Sequence, residues 1–331
     1  MSAQTKQDSK DTAALRVGVV GVGYLGKFHA EKYARMPDVT LVGVVDADRR
    51  QADAVAQQLG TRALYDHKEL LGQVDAVSIV VPTHHHFAIS RDFLNHDVDV
   101  LIEKPMTEKL SEADELIRLA ERHGCLIQVG HLERFNPAVV ALDGVVQQPM
   151  FIESHRLSQF KERGLDVSVV LDLMIHDIDI ILNFVQSPVK SIHAAGISVI
   201  SGQVDIANAR LEFQCGCVAN VTASRISMKN ERKIRLFQRD AYISVDFANN
   251  EITMVRPDGN GTVADGVIPG MRIDQRCFTK ADALDDELKS FVKAVRLRQP
   301  PEVTGVMGRD ALKIALSIMD QIQRTSQRLV K

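Results

Sequence analysis

The chain has 331 residues, of which 45% are hydrophobic and 25% are charged, and its formal net charge is −3. This length predicts two domains, and the composition is that of a folded globular protein. The sequence has no lysine and arginine cluster for nucleic acid, no apolar run long enough for a membrane span, and no apolar signal segment in residues 1–14. We therefore expect a cytoplasmic protein without nucleic-acid or membrane partners, preceded by a flexible tail at residues 1–14.

From residue 15 to about residue 135, short apolar runs alternate with segments of helical spacing. The runs are rich in Val and Ile, as expected for strands covered on both faces. They are Val17–Val20, Leu41–Val45, Ala76–Val81, Val98–Ile102 and Leu126–Val129. Strict alternation of strand and helix predicts an α/β domain with a doubly wound parallel sheet over residues 15–135.

After Pro137 several strands follow one another with short turns. The predicted strands are Lys190–Val199, Ile206–Phe213, Val218–Ser224, Lys233–Phe237 and Tyr242–Phe247. Helices are predicted at Leu171–Phe184, Asp285–Leu297 and Arg309–Leu329. Consecutive strands favour antiparallel pairing, so residues 136–331 are expected to form one α+β domain with a mostly antiparallel sheet.

A glycine loop, Gly21-Val22-Gly23-Tyr24-Leu25-Gly26, lies between the first apolar strand and a helical segment. The GxGxxG pattern is weak alone, but Asp46 ends the second strand about 20 residues later, which makes the combination specific. Gly21 permits the turn, Gly23 lets the backbone approach a pyrophosphate, and Gly26 allows close helix packing. The loop, with Tyr24 and Leu25, therefore predicts a Rossmann domain that binds a dinucleotide.

Asp46 favours NAD over NADP. Its carboxylate can accept hydrogen bonds from the adenosine ribose, and its charge repels a 2'-phosphate. Arg49 and Arg50 leave NADP open, because an arginine just beyond the strand can bind that phosphate; the alternative is that both are solvated helix residues.

The run Val98–Ile102 is followed by Glu103, Lys104 and Pro105. Ligands of open α/β sheets bind at the carboxyl ends of the strands, which is where these charges lie. Lys104 can hydrogen-bond a substrate hydroxyl or help to move its proton. The alternative is a surface ion pair.

A histidine tract follows the strand Ala76–Val81. His84, His85 and His86 are adjacent and diverge, so we predict no metal site, while Pro82, Thr83 and His86 are expected to line the cofactor pocket. The four cysteines lack the paired spacing of a zinc site or a disulfide framework, which also favours the cytoplasm.

Asp172 and His176 are four residues apart in a segment with helical spacing. Residues at i and i+4 share a helix face, and a carboxylate beside a histidine orients it and supports its protonated form. His176 is the leading candidate for a general base. A structural histidine on an amphipathic helix explains the spacing equally well.

Together these motifs resemble the Gfo/Idh/MocA oxidoreductases over nearly the whole chain, and the segment Arg134-Phe135-Asn136-Pro137 adds to the match. The resemblance implies a Rossmann domain followed by an α+β domain with a large open sheet, often used to build dimers or tetramers. It also implies that Lys104 and His176 act on a sugar or cyclitol hydroxyl beside bound NAD, with Asp172 supporting the histidine and Glu103 near the cofactor. The family often has glycines at the start of this helix, where this chain has Val169, Val170 and Met174.

Within the family, His155-Arg156 and the segment Leu171–Asp179 look most like nucleotide-sugar 3-dehydrogenases. This implies NAD-dependent oxidation of the 3-hydroxyl of UDP-N-acetylglucosamine, feeding a 3-aminotransferase in lipid A precursor synthesis. The alternatives are a dehydrogenase of UDP-N-acetylglucosaminuronate or of a cyclitol or hexose, and a non-catalytic NAD-binding regulator.

Arginines are the expected ligands of a UDP-sugar, because a guanidinium matches paired phosphate oxygens. The candidates for substrate contact, beside Asp172 and His176, are Arg134, Arg156, Arg163 and Arg225. Each arginine can instead be a solvated surface residue.

Overall fold

The computed structural model describes residues 13–160, 167–258, 270–279 and 281–329. These residues divide into two compact units. The first contains the chain up to Leu132 together with Leu284–Arg309, and the second contains Glu133–Ala283 and the chain from Asp310 onward. Of the tail predicted at residues 1–14, residues 1–12 lie outside the described part.

The first unit contains a parallel sheet of six strands in the order β3-β2-β1-β4-β5-β6. The strands are β1 (Leu15–Val20), β2 (Val39–Val45), β3 (Arg62–Leu64), β4 (Ala76–Ile79), β5 (Asp99–Glu103) and β6 (Ile127–Gly130). The strand order reverses between β1 and β4, and such a switch point is where open α/β sheets bind ligands. The predicted doubly wound parallel sheet is confirmed.

The second unit contains a sheet of eight strands in the order β14-β13-β12-β11-β7-β10-β9-β8. Its strands are β7 (Phe151–Leu157), β8 (Val189–Ile197), β9 (Ile206–Phe213), β10 (Val218–Ser224), β11 (Glu231–Gln238), β12 (Ala241–Asp246), β13 (Glu251–Pro257) and β14 (Met271–Cys277). All neighbouring strands pair antiparallel except β7 and β10, which pair parallel. The predicted large, mostly antiparallel sheet is confirmed.

Helices flank both sheets. They are α1 (Gly26–Arg35), α2 (Arg49–Leu59), α3 (His86–Leu94), α4 (Leu110–His123), α5 (Pro137–Val140), α6 (Ile175–Val185), α7 (Ala283–Leu297) and α8 (Gly305–Leu329). Local sequence sets several of their ends: Asp48 caps the start of α2 by accepting the N–H of Arg50, and Gly60 and Gly124 end α2 and α4 in the left-handed conformation. Within the described ranges, no helix is long and apolar enough to span a bilayer.

One part of the predicted division is corrected. Residues 136–331 do not form one continuous unit, because residues 284–309 belong to the first unit. The reason is the apolar face of α7, where Leu284, Leu288, Phe291 and Val295 pack into the core of the first unit.

Candidate active site

The glycine loop between β1 and α1 gives each glycine a different environment. Gly21 has a φ of +85°, and a Cβ there would lie 2.4 Å from the carbonyl oxygen of Val80. At Gly26 a Cβ would lie 1.8 Å from the carbonyl oxygen of Gly21. Around Gly23, by contrast, no heavy atom of the described residues beyond its chain neighbours lies within 4 Å of a Cβ position. The loop therefore packs closely on its inner side and leaves open the side that a pyrophosphate must approach, which fits a dinucleotide.

Asp46, directly after β2, is held by the same loop. One carboxylate oxygen accepts the backbone N–H of Val22 at 2.9 Å, and the other accepts that of Asp48 at 2.9 Å. The side-chain amide of Gln51 donates to the carbonyl oxygen of Val22 at 2.7 Å. This network fixes the carboxylate beside the glycine loop, where it can bind the ribose hydroxyls of NAD.

Tyr24, Leu25 and Arg49 lie near these residues in the chain. Tyr24 is 70% exposed, and Leu25 is half-buried directly before α1. The guanidinium of Arg49 lies over the ring of Tyr65, 4.5 Å from its centroid. Arg49 is therefore an ordered cation three residues after Asp46.

The residues after β4 include the predicted pocket residues Pro82, Thr83 and His86. Pro82 is exposed and Thr83 is half-buried, whereas His86 is 1% exposed. His86 Nδ1 lies 3.0 Å from the carbonyl oxygen of Pro105, and Nε2 lies 2.8 Å from that of Val81. Burial lowers the pKa of His86, and the two carbonyl oxygens offset this only in part. His86 thus joins the segment after β4 to the segment after β5.

The histidine tract does not act as a unit. The rings of His84 and His85 are exposed and tilted by 49°, with centroids 4.0 Å apart, while His86 is buried. Across the described parts of the chain, no three His, Cys, Asp or Glu side chains are grouped to hold a metal ion. All four cysteines are free thiols.

Lys104 is the first residue after β5 and is half-buried. Strands β1, β4 and β5 are neighbours and parallel, so their carboxyl ends share one edge of the sheet. Lys104 therefore lies at the same edge as the glycine loop and the residues after β4. The peptide between Lys104 and Pro105 is cis.

Glu103 directs its carboxyl group into the first unit. One oxygen lies 3.4 Å from His29 Nε2 on α1, and the other accepts the backbone N–H of Lys104 at 3.2 Å. Burial alone would raise the pKa of Glu103, but His29 and Lys104 outweigh it and hold that pKa below its ordinary value. The expected contact of Glu103 with the cofactor stays a prediction.

The sequence analysis did not identify His29 and Glu287 as candidate functional residues. His29 lies one turn into α1, and Glu287 lies on α7, and both are fully buried. A signal existed for Glu287, because this acidic residue interrupts the apolar stripe formed by Leu284, Leu288 and Phe291.

In the second unit, the segment that carries Asp172 and His176 is not one uniform α-helix. Residues Val170–Met174 form a π-helical turn that leads directly into α6. This corrects the α-helix predicted from Leu171, while the later part of that prediction is confirmed. Asp172 lies inside the π turn and His176 lies in the first turn of α6, and both are half-buried. Single π turns inside helices are frequent at functional sites.

Arg156, predicted as a diphosphate ligand, is enclosed by acidic residues. Its Nε and Nη2 donate to the two carboxylate oxygens of Asp177 at 2.8 and 2.9 Å, and its Nη1 donates to Glu133 at 2.8 Å. Burial alone would lower the pKa of Arg156, but the two carboxylates outweigh it and raise that pKa. All three nitrogens of the guanidinium bind carboxylates, so the geometry assigns Arg156 to joining β7 and α6 and does not support diphosphate binding.

Two other candidate arginines are also buried. Arg134 Nη1 lies 3.7 Å from a carboxylate oxygen of Asp179. Arg225 donates from Nη2 to the carbonyl oxygen of Val167, and its Nε lies 4.0 Å from Asp205. Arg163 lies outside the described residues.

Comparisons with known proteins identify the family of this chain. The profile of the oxidoreductase family GFO_IDH_MocA, with its NAD-binding Rossmann fold, matches residues 15–131, and that of the GFO/IDH/MocA C-terminal domain matches residues 138–244. The chain is 39% identical to UDP-N-acetylglucosamine 3-dehydrogenase from Acidithiobacillus ferrooxidans, over 95% of this chain and 99% of that protein. It is 26% identical to myo-inositol 2-dehydrogenase from Thermotoga maritima, over 93% and 96% of the two chains.

Solved structures agree with these relatives. The structure of UDP-N-acetylglucosamine 3-dehydrogenase GnnA from Acidithiobacillus ferrooxidans superposes with a TM-score of 0.87 at 37% identity, covering 94% of this chain and 98% of that chain. Scyllo-inositol dehydrogenase from Lactobacillus casei, with bound NAD(H) and scyllo-inositol, shares the fold with a TM-score of 0.76 at 19% identity, covering 94% and 98%. The family resemblance in the sequence is thus confirmed, and the chain belongs to the Gfo/Idh/MocA family of NAD-binding oxidoreductases.

Proposed function

We propose that this protein oxidises the 3-hydroxyl of UDP-N-acetylglucosamine to a ketone with NAD as oxidant. The observation that supports this most strongly is the similarity to UDP-N-acetylglucosamine 3-dehydrogenase along almost the full length of both chains. Similarity to inositol dehydrogenases is lower in sequence identity. The resulting 3-keto sugar would feed a 3-aminotransferase in lipid A precursor synthesis.

In the proposed reaction, NAD bound at the glycine loop and Asp46 supplies the hydride acceptor. His176 accepts the proton of the 3-hydroxyl, and Lys104 donates a hydrogen bond to the same oxygen as the ketone forms. Asp172 orients the imidazole of His176. The bonds lost are O–H and C3–H, and the products are the 3-keto sugar, reduced cofactor and a proton.

Substrate contacts are proposed for the remaining predicted arginines. Arg156 is excluded by its three bonds to Asp177 and Glu133. Arg225 already donates to a backbone carbonyl, and Arg134 is buried beside Asp179. Arg134, Arg163 and Arg225 stay proposed as substrate contacts.

We also propose a homodimer or homotetramer that assembles through the exposed face of the eight-stranded sheet. Phe151, Phe237 and Tyr242 lie side by side on that face, with ring centroids 5.6 and 5.0 Å apart. Aromatic side chains on an otherwise polar surface are typical of protein interfaces. We also propose that the protein lies in the cytoplasm, where thiols such as those of its four cysteines stay reduced.

The substrate is tested by mixing the protein with NAD and UDP-N-acetylglucosamine, and following reduced cofactor. A 3-aminotransferase and glutamate are added to remove the ketone, so that an unfavourable equilibrium does not hide turnover. We expect reduced NAD and an amino sugar. UDP-N-acetylglucosaminuronate and myo-inositol are run in parallel, and faster turnover of either would replace the proposed substrate.

The Lys104→Ala variant separates an enzyme from an NAD-binding regulator. Loss of a positioned proton-transfer or hydrogen-bonding group is expected to lower kcat about 10²- to 10⁴-fold. NAD binding, measured by calorimetry, should remain. If neither the wild type nor the variant turns over any sugar while both bind NAD, the protein is a regulator.

A further inference from the structure

A cluster of ionisable side chains is buried in the first unit, beneath the sheet edge that carries Lys104. His29 comes from α1, Glu103 from β5 and Glu287 from α7. His29 and Glu287 have 0% exposure, and the side chain of Glu103 has 12%. Two buried carboxyl groups that interact are costly when both are charged, so the cluster must hold a proton.

Glu103 is the carboxyl group whose charge has partners. His29 Nε2 lies 3.4 Å from one oxygen, and the backbone N–H of Lys104 donates to the other at 3.2 Å. Packing also fixes its position, because a Cβ on Gly130 of the paired strand β6 would lie 2.9 Å from the carboxyl carbon. Glu103 is therefore held as an anion.

Glu287 has the opposite environment. Among the described residues neither of its carboxyl oxygens has a hydrogen-bond partner, while its backbone carbonyl accepts the side-chain amide of Gln128 at 3.2 Å. Burial raises the pKa of Glu287 well above its ordinary value, and the charge of Glu103 raises it further. Glu287 is therefore the neutral member of the pair.

The other groups around the pair do not supply a competing charge. On α1, the hydroxyl of Tyr33 lies 2.9 Å from that of Ser78 on β4, and burial raises the pKa of Tyr33, so it stays neutral. Gln128 on β6 is an uncharged amide. His86 also interacts with Glu103, but burial lowers the pKa of His86. His29 and Lys104 are the groups that hold the pKa of Glu103 below its ordinary value.

The cluster joins two parts of the site. His29 lies on α1, which begins at Gly26 of the glycine loop, and Glu103 binds the backbone of Lys104. The imidazole of His29 and the carboxylate of Glu103 therefore connect the glycine loop to Lys104.

We propose that Glu103 is a positioning residue for Lys104, that His29 holds Glu103 in place, and that Glu287 is the one of the two carboxyl groups that carries a proton. The positioning role rests on the proposed function, because it requires that Lys104 acts in the reaction. The placement of the proton on Glu287 does not depend on the proposed function.

Infrared spectroscopy of the whole protein tests the proton directly. The wild type should show the C=O stretching band of a buried protonated carboxyl group at neutral pH. Glu287→Gln should remove the band, because the amide replaces the neutral acid with the same shape, whereas Glu103→Gln should keep it. Absence of the band in the wild type, or its survival in Glu287→Gln, would overturn the assignment.

Kinetics test the positioning role. Glu103→Gln and His29→Ala should each lower kcat about 10²-fold, the cost of a small misplacement of a reacting group, while KM for NAD changes less than about threefold. His29→Gln should recover most of the loss, since its side-chain amide gives Glu103 a polar partner in place of the imidazole. The double variant that combines His29→Ala with Glu103→Gln should have the same kcat as Glu103→Gln alone, because both changes break one network. A raised KM for NAD with unchanged kcat would instead make Glu103 a cofactor contact.

A third measurement needs no substrate. The rate at which acetic anhydride modifies Lys104, followed by mass spectrometry, should change several-fold in Glu103→Gln and His29→Ala, and the exposed Lys313 serves as the internal control. An unchanged rate at Lys104 would show that Glu103 does not position it. If the wild type turns over no sugar but this rate changes, the proposed function fails, and the result shows only that Glu103 and His29 fix the position of Lys104.

Discussion

Gly23 and Gly26 belong to one loop, yet only Gly26 is surrounded so closely that the folded chain requires glycine. At Gly26 an added Cβ would meet a backbone oxygen at 1.8 Å, whereas at Gly23 it would meet nothing within 4 Å among the described residues beyond its chain neighbours. Gly26 is therefore needed by the folded protein itself. Gly23 is predicted to be needed by the bound cofactor.

This difference predicts opposite results for two alanine substitutions. Gly26→Ala should lower the free energy of unfolding by at least about 1–3 kcal/mol through overpacking, and NAD binding should fall with it. Gly23→Ala should leave that free energy within about 0.5 kcal/mol of the wild type, yet weaken NAD binding at least about tenfold. Thermal unfolding and calorimetric NAD titration measure both. Unchanged NAD affinity in Gly23→Ala would place the pyrophosphate elsewhere.

Asp46 and Arg49 together predict the cofactor preference. Asp46→Asn removes the charge that repels a 2'-phosphate and leaves Arg49, held over Tyr65, to attract it. The ratio of kcat/KM for NAD to that for NADP should fall by about 10- to 100-fold, as expected for a loss of about 1–3 kcal/mol of discrimination. Adding Arg49→Ala should restore part of the ratio. No change in the ratio for Asp46→Asn would mean that its carboxylate does not face the ribose.

For individual residues, the sequence predicts a role where the interacting residues are close along the chain. Gly21, Gly23, Gly26 and Asp46 belong to one strand-turn-helix-strand unit, so spacing alone indicates their roles. The bonds of Arg156 could not be predicted in that way. Its partners Asp177 and Glu133 are brought to it only by the pairing of elements far apart in sequence.

Among the elements, β7 shows why several strands were not predicted. Its buried residues are Ile152, Ser154 and Arg156, so two of the three are polar and the alternation of apolar and polar residues disappears. The short strand β3 has three residues, and β14 is an edge strand with no buried residue. Strands without an apolar face give no periodic signal, even when they pair along their full length.

The ion pair between β7 and α6 gives a prediction at this scale. Arg156→Ala leaves Asp177 as a buried charge without this cation, whereas the half-buried Glu133 still lies 3.9 Å from Arg232. The substitution should lower the free energy of unfolding by about 3–5 kcal/mol. Arg235→Ala on the neighbouring β11 is the matched control. Its ion pair with Glu153 is partly exposed, with side-chain exposures of 41% and 34%, so the loss should be about 0–1 kcal/mol. Equal losses in urea denaturation would show that the buried pair contributes no more than a surface pair.

For the molecule as a whole, the two sheets differ in what covers them. In the parallel sheet, β4, β5 and β6 are buried on both faces, while β7, β9, β10 and β12 of the eight-stranded sheet alternate buried and more exposed residues. A sheet with one open face is available for association. The sequence predicted this architecture from its two patterns of strands, but missed that α7 returns to the first unit, because helical spacing does not state which core a helix joins.

The proposed assembly predicts that a charge on the open face dissociates it. Phe237 lies between Phe151 and Tyr242 in the aromatic row. The substitution Phe237→Glu should shift the protein toward monomer in size-exclusion chromatography with light scattering. Met228→Glu is the control, because Met228 is apolar, 93% exposed and outside the sheet. A Phe237→Glu variant of unchanged mass would remove this face as the interface.

Hydride transfer from C3 is the central claim, and isotope transfer measures it most directly. UDP-N-acetylglucosamine carrying deuterium at C3 is incubated with the protein and NAD, and the reduced cofactor is analysed by mass spectrometry. We predict deuterium in the reduced cofactor from the C3-labelled sugar and none from sugar labelled at C4. Transfer from C4, or reduced cofactor without deuterium from the C3-labelled sugar, would contradict oxidation at the 3-hydroxyl.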